Sequence, residues 1–175
     1  DSIKSELEKF DMVVLQHEIP LETVHYVIEF CYEKGIKIVL NPAPAAAVPM
    51  EIIDKVTYVT PNEHEAVLIF GDKLSTEDLL RKYPEKLVIT QGSRGVSTCL
   101  KDGRILNIPA RKAQVVDTTG AGDTLNGAFS VQIAEGKAIE DALTYANVAA
   151  SLSTEKFGAQ TGMPTAEEVE TELKK

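Results

Sequence analysis

The sequence predicts an α/β fold, a three-layer α/β/α arrangement on a mostly parallel, doubly wound sheet with antiparallel strands at one edge. Three observations predict it. Short apolar runs alternate with stretches of helical spacing through the first half of the chain. The runs are nearly continuous in apolar residues, as strands covered on both faces are. From Gly95 the period switches to strict alternation, the mark of paired antiparallel strands.

The elements follow in order. Val13-Val14-Leu15 reads as a buried strand. After Pro20, Leu21, Val24, Val27, Ile28 and Cys31 fall at helical spacing, with proline at the start and Gly35 at the close. Ile36 to Leu40 is a second strand, and the prolines of "NPAPAAAVP" keep the next stretch irregular. A short helix from Met50 to Asp54 leads to a strand from Val56 to Thr60. "TPNEHEAVLIFG" opens a helix near Pro61 and ends it at Gly71. Thr76 to Tyr83 is helical, and Leu87 to Thr90 is a strand. "GVSTCLKDGRILNIP" alternates about Asp102-Gly103, the signal of a two-residue hairpin loop. Ala121 to Glu135 and Ala138 to Ser153 are helices, the second rich in alanine. "STEKFGAQTGMP" is a loop. A terminal helix runs from Thr165 to Leu173, with Thr165 and Glu168 at capping-box positions.

Composition bounds the function. The 175 residues are 43% hydrophobic and 26% charged, ordinary for one soluble domain. No apolar run approaches the roughly 18 residues of a membrane span, and no basic-then-apolar leader is visible. These features predict a cytoplasmic protein without a membrane partner. A net charge of -9 argues against a nucleic-acid surface, so an anionic ligand needs a local device. Cys31 and Cys99 lie in separate apolar runs and read as reduced core residues. No Cys/His spacing suits a metal.

Polar residues follow the strands, where doubly wound folds collect ligands. Asn41 follows "IVL", Thr60-Pro61-Asn62-Glu63 follows "VTYV", Thr90-Gln91-Gly92-Ser93 follows "LVI", and Asp117 follows "AQVV", read as a further strand. The sharpest signal is "TTGAGDT". Glycines ahead of a helix let unpaired first-turn amides approach a ligand closely, and the helix dipole adds positive potential suited to phosphate. Asp123 in that turn is favoured as a carboxylate. It can take the proton of a hydroxyl that attacks the phosphate. Simple capping by Thr119 or Asp123 would explain those residues but not Gly120-Ala121-Gly122. There is no G-x-x-x-x-G-K-[ST] loop, and Leu125 stands where a dinucleotide fingerprint needs glycine.

"DTTGAGDTLNGAF" resembles the C-terminal signature of the ribokinase-like sugar kinases, the PfkB family. "NPAPA", "TPNEHEA", "ITQGSRGV" and "KFGAQTGMP" resemble the same family in the same order, so the likeness covers nearly the whole chain. It implies ATP-dependent phosphorylation of a sugar hydroxyl, with D-ribose as acceptor. A nucleoside or sugar-phosphate kinase of the family, or a non-catalytic nucleotide-binding fragment, is the alternative. Asp123 matches the catalytic base, which also touches the sugar, and the amides of Gly120, Ala121 and Gly122 match the anion hole. Asn62 and Glu65 match the pair that organises Mg²⁺ and phosphate. Thr90, Gln91, Gly92, Ser93, Arg94 and Gly95 match the loop along the nucleotide, and Asn147 matches a position near adenine and ribose. Asp117, Thr119, Ser153, Lys156, Gly158 and Gly162 match the loops that hold a monovalent cation, usually K⁺, largely through carbonyls. Glu18 in "QHEIP" matches a sugar-binding glutamate; by itself it reads as a solvated loop residue. The resemblance further implies that residues 1–175 are the C-terminal part of the kinase domain, poorly active alone. The family's first strands and dimerising lid would lie outside them, and the full-length form would be a homodimer.

Overall fold

A computed structural model describes residues 3–175; Asp1 and Ser2 lie outside the described residues. The chain forms two compact units, Asp1–Gln91 with Ser97–Leu106, and Gly92–Val96 with Asn107–Lys175. It is a mixed α/β protein with a parallel sheet and an antiparallel hairpin.

The first unit opens with a short helix that the sequence does not signal, α1 (Lys4–Leu7), and continues into β1 (Met12–Leu15). Helix α2 (Leu21–Lys34) starts after Pro20 and is stopped by Gly35, as the proline and glycine punctuation predicts. Its apolar stripe, Val24, Val27, Ile28 and Cys31, is buried. Strand β2 (Lys37–Leu40) and helix α3 (Met50–Lys55) follow.

Strand β3 is only Tyr58–Val59, shorter than the predicted Val56 to Thr60. Val56 serves as the C-cap of α3, and the Thr57 hydroxyl accepts the Ile38 N–H, so neither extends the strand. Strands β1, β2 and β3 pair in parallel, with Leu15 opposite Leu40 and Leu40 opposite Val59. Single parallel bridges, Val59 to Leu87 and Asn62 to Thr90, carry the line on to β4 (Val88–Thr90). Helices α4 (Glu63–Phe70) and α5 (Thr76–Lys82) lie between β3 and β4 in sequence. The core collects Leu15, Ile28, Ile38, Leu40, Ile53, Val59, Leu80 and Leu87, and both cysteines are buried and free.

A second sheet runs β4-β5-β6, with β5 (Val96–Cys99) and β6 (Ile105–Ile108) joined as a hairpin. The loop has three residues rather than two. Gly103 N–H donates to Leu100 O and Leu100 N–H donates to Arg104 O, leaving Lys101, Asp102 and Gly103 outside the ladder.

The second unit is helical at its centre. Helix α6 (Ala121–Ala134) packs along α7 (Ile139–Ser153), and α7 meets α8 (Ala166–Leu173). Phe129 and Leu143 are fully buried. The expected Thr165–Glu168 capping box is present, and it starts α8. "AQVV" is not a strand: Val115 and Val116 are 63% and 62% exposed. The N–H groups of Val116 and Asp117 both donate to Thr154 O, so this backbone bonds to the loop after α7.

Candidate active site

In the second unit, α6 begins on Gly120, whose φ of 80° is the left-handed conformation that glycine adopts without strain. A methyl there would also lie 2.9 Å from Ala159 O and 3.0 Å from Ala159 Cα. No side chain caps the helix. Thr119 is turned away: its N–H and hydroxyl both donate to Asp117 Oδ1, at 2.9 and 2.7 Å. Thr119 therefore does not cap α6. Asp123 stands exposed in the uncapped first turn. Of the three expected anion-hole amides, Ala121 N–H is engaged, closing a 3.2 Å turn on Thr118 O. The N–H groups of Gly120 and Gly122 have no partner among the described residues. Two of the three amides are thus left without a partner at this turn.

Asp117 ties this turn to the loop after α7. Its second oxygen, Oδ2, accepts Gly158 N–H at 3.0 Å. The Thr119 N–H and hydroxyl, then the Gly158 N–H, hold the Asp117 carboxyl below its ordinary value. The loop closes around Gly162. A methyl on Gly162 would lie 2.7 Å from Ser153 O, 2.8 Å from Gly158 O and 3.4 Å from Lys156 O. Three carbonyl oxygens thus converge on one small space, a donor set that suits a hard cation. The side chains take other partners: Ser153 Oγ donates to Ala150 O, and Lys156 Nζ pairs with Glu168 at 3.0 Å.

Gly95, at φ 95°, follows a single 3₁₀ turn, Gly92–Arg94, and its N–H donates to Gly92 O. A methyl on Gly95 would overlap Ile108 O, 1.9 Å away, so the close passage of the chain requires glycine. Ser93 and Arg94 are exposed. Asn147 is buried, and its Nδ2–H donates to Pro109 O at 2.8 Å. Its amide group pins the segment after β6, a structural task the sequence did not suggest.

In the first unit, Asn62 and Glu65 close on each other. Asn62 Oδ1 accepts Glu65 N–H, while the Glu65 carboxylate accepts Asn62 N–H (2.8 Å) and Nδ2–H (2.9 Å). This is a full capping box, and it leaves Glu65 6% exposed. The carboxylate is thus fixed in direction, with one lone pair left on each oxygen. Thr90 N–H donates to Pro61 O, and Gln91 Oε1 accepts the Ser97 hydroxyl at 2.7 Å. Glu18 is exposed on the turn after β1, as its solvated-loop reading predicted.

A family model described as pfkB family carbohydrate kinase matches residues 2–166. The chain belongs to the pfkB family. Among proteins similar to this pfkB chain, the ribokinase of Bacillus subtilis is 53% identical over 94% of the chain, and that of Lactococcus lactis 49% over 96%. Those matches take in 56% and 55% of the relatives' own lengths, so the chain spans about half the length of the curated relatives it matches. Among solved structures, the Thermotoga maritima ribokinase superposes with a TM-score of 0.86 at 35% identity, covering 98% of this chain and 59% of that one. An Arabidopsis thaliana ribokinase complexed with ribose and ATP gives 0.90 at 29% identity, covering 100% and 59%.

Two arrangements of this pfkB chain escaped the sequence reading. One is a polar clamp centred on Asn41, whose position after "IVL" was the available signal. The other is Arg111, which donates to Glu155 and Glu172, each at 2.8 Å. These partners lie 44 and 61 residues away, beyond the reach of any local pattern.

Proposed function

We propose that the full-length protein transfers the γ-phosphoryl group of ATP to a sugar hydroxyl, with D-ribose as acceptor and D-ribose 5-phosphate as product. The observation that carries this reading is the bare first turn of α6, with its unpartnered amides and the exposed Asp123 beside them. The names of the relatives support it, as does the ribose and ATP bound to the Arabidopsis neighbour.

In this reading Asp123 accepts the proton of the acceptor hydroxyl as the hydroxyl oxygen bonds to the γ-phosphorus. The bridging P–O bond breaks and ADP departs. Charge that gathers on the equatorial oxygens meets the N–H groups of Gly120 and Gly122, donors already oriented by the helix. Glu18 binds a sugar hydroxyl. Thr90, Gln91, Gly92, Ser93, Arg94 and Gly95 follow the nucleotide, and Asn147 supports it by holding the Pro109 segment.

The oxygen chemistry of Glu65, oriented by Asn62, fits a role in Mg²⁺ binding. The carbonyls of Ser153, Lys156 and Gly158, with Asp117 and Thr119 fixing the neighbouring turn, fit a monovalent cation such as K⁺. When bound, these ions offset phosphate charge. Asp117 keeps the two loops of the second unit in register.

Asp123→Asn in the full-length protein tests the proposal. General-base assistance is worth about 10²–10⁴ in rate, so kcat should fall by that order while ATP binding persists. Unaltered turnover by this variant would remove Asp123 from the mechanism. Comparing D-ribose with nucleosides and sugar phosphates in the same coupled assay fixes the acceptor.

A further inference from the structure

In the first unit, β1, β2 and β3 are followed by Gln16, Asn41 and Thr60, and these three are hydrogen bonded side by side. Gln16 Nε2–H donates to Asn41 Oδ1 at 3.0 Å, and Asn41 Nδ2–H donates to Thr60 O at 2.9 Å. Asn41 N–H also donates to Leu15 O at 2.9 Å. The Asn41 amide is 8% exposed and spends one end on each neighbouring strand.

The paired registers of the strands end at Leu15, Leu40 and Val59, each one residue before this row. The clamp therefore carries strand order beyond the ladder, into residues that would otherwise be loop. Gln16 stands two residues before Glu18, and Thr60 stands two residues before Asn62, the cap of α4. Asn41 also shapes the turn that receives His17. Its carbonyl accepts Ala43 N–H, and His17 N–H donates to Ala43 O at 2.8 Å. The His17 ring adds a bond from Nδ1–H to Pro44 O at 3.2 Å. Glu18 is thus the first residue past a doubly anchored dipeptide, exposed on a stem that cannot swing. A buried amide is an expensive way to fill space at a strand end, since an apolar side chain would pack there without a polar group to satisfy. What the amide adds is direction, fixing two chains at once.

We propose that Asn41 is a positioning residue for the acceptor substrate: it holds Glu18 through Gln16 and the Ala43–Pro44 turn, and it holds the Asn62–Glu65 box through Thr60. The inference rests on the reading of Glu18 as a sugar contact, and the test separates the two.

The experiment compares steady-state kinetics of full-length wild type, Glu18→Gln, Asn41→Ala and the double variant, varying D-ribose and ATP in turn. Glu18→Gln should raise the KM for ribose by about 10-fold or more, the scale of one lost hydrogen bond to a charged group. Asn41→Ala should raise that KM by about 10-fold with kcat changed far less, because a displaced contact weakens binding uniformly. The double variant should raise the ribose KM no more than Glu18→Gln does, because towards ribose Asn41 acts through Glu18; the arm through Thr60 is read in the ATP KM. If Asn41→Ala lowers the melting temperature but leaves the ribose KM at the wild-type value while Glu18→Gln raises it, Asn41 is only structural and the proposal falls. Effects on the ribose KM that multiply in the double variant overturn it equally. A ribose KM unmoved by Glu18→Gln removes the sugar contact itself, and the positioning role with it. Should Asn41→Ala fail to fold, Gln16→Ala breaks the clamp from the other side and is read the same way.

Discussion

Gly122 offers the sharpest trial of the site, because its structural cost and its proposed use point in opposite directions. It lies at the second position of α6, its φ is not in the left-handed region, and a methyl there would meet no atom within 4 Å beyond its own turn. Nothing in the fold asks for glycine. Alanine in a helix is favoured over glycine by roughly 0.5–1 kcal/mol, and an end position takes the lower part of that range, so Gly122→Ala should stabilise by about 0.5 kcal/mol. For a chain of this size that is a rise of about 1–2 °C in melting temperature. The added methyl would occupy the open space beside an amide that has no partner among the described residues, which is where the phosphoryl oxygens are proposed to sit. Losing one anion-hole donor costs about 10²–10³ in kcat, and the same order is expected here. Differential scanning calorimetry and a coupled ADP assay on the full-length variant give the two readouts. A variant that is more stable and fully active would refute the anion hole at Gly122. A variant that is less stable would refute the claim that the fold leaves room there.

Two further outcomes follow from the second unit. Gly162→Ala should abolish activation by K⁺ over Na⁺, because its methyl would fall within 2.7–3.4 Å of the Ser153, Gly158 and Lys156 carbonyls; undiminished K⁺ activation, measured as the rate ratio in the two salts, would place the cation elsewhere. Arg111→Ala should cost about 1–2 kcal/mol in urea unfolding, below the 3–5 of a fully buried pair because the arginine keeps 23% exposure. Arg111 draws the Glu155 carboxyl below its ordinary value, while Lys175 and then Arg111 do the same for Glu172. Depressed carboxyls lend stability above their unfolded values, near 4.3, and lose it as pH falls through the folded ones. The gap between wild type and Arg111→Ala should therefore narrow between about pH 5 and pH 3, and a gap constant across that window would mean the pairs contribute nothing.

Local chemistry made most of the elements legible. Pro20 and Gly35 bracket α2, and Thr165 with Glu168 starts α8, because each signal acts within one turn of helix. The Asn62–Glu65 capping box has the same kind of signature, and the resemblance adds to it a match to a pair that organises phosphate and metal. Errors arose where the deciding partner is distant. "AQVV" has the apolar run of a strand, but its backbone bonds go to Thr154, which no periodicity reports. Asn147 is matched to a nucleotide-side position by the resemblance alone, and its Nδ2–H bond to Pro109 O, 38 residues away, is one that no local pattern reports. At the start of α6, Gly120, Gly122 and Asp123 stand out in the sequence because a weak helix start is itself a local anomaly. The engagement of Ala121 N–H by Thr118 does not, since it depends on how tightly the turn winds.

On the proposed reading, the arrangement also accounts for how an acidic chain would receive a phosphoryl group. "DTTGAGD" holds two aspartates and no lysine or arginine, in a protein of net charge -9. Basic side chains would attract anions at a distance, and the Asp117 carboxylate taken alone would work against that. Yet both Asp117 oxygens are covered, one by the Thr119 N–H and hydroxyl and the other by Gly158 N–H. Its charge is spent inside the loop, where it fixes the chain that leads to Gly162. What faces outward at the start of α6 is the helix N-terminus, equivalent to about half a positive charge and effective only within the first turn, together with the Asp123 carboxylate. Such a short-range field gains nothing from a diffuse anion and most from one seated against the amides. Glycine at Gly120 and Gly122 is what permits that seating. On that reading the motif gives up helix stability and long-range attraction together, in exchange for a contact that would strengthen only with a phosphoryl group in place.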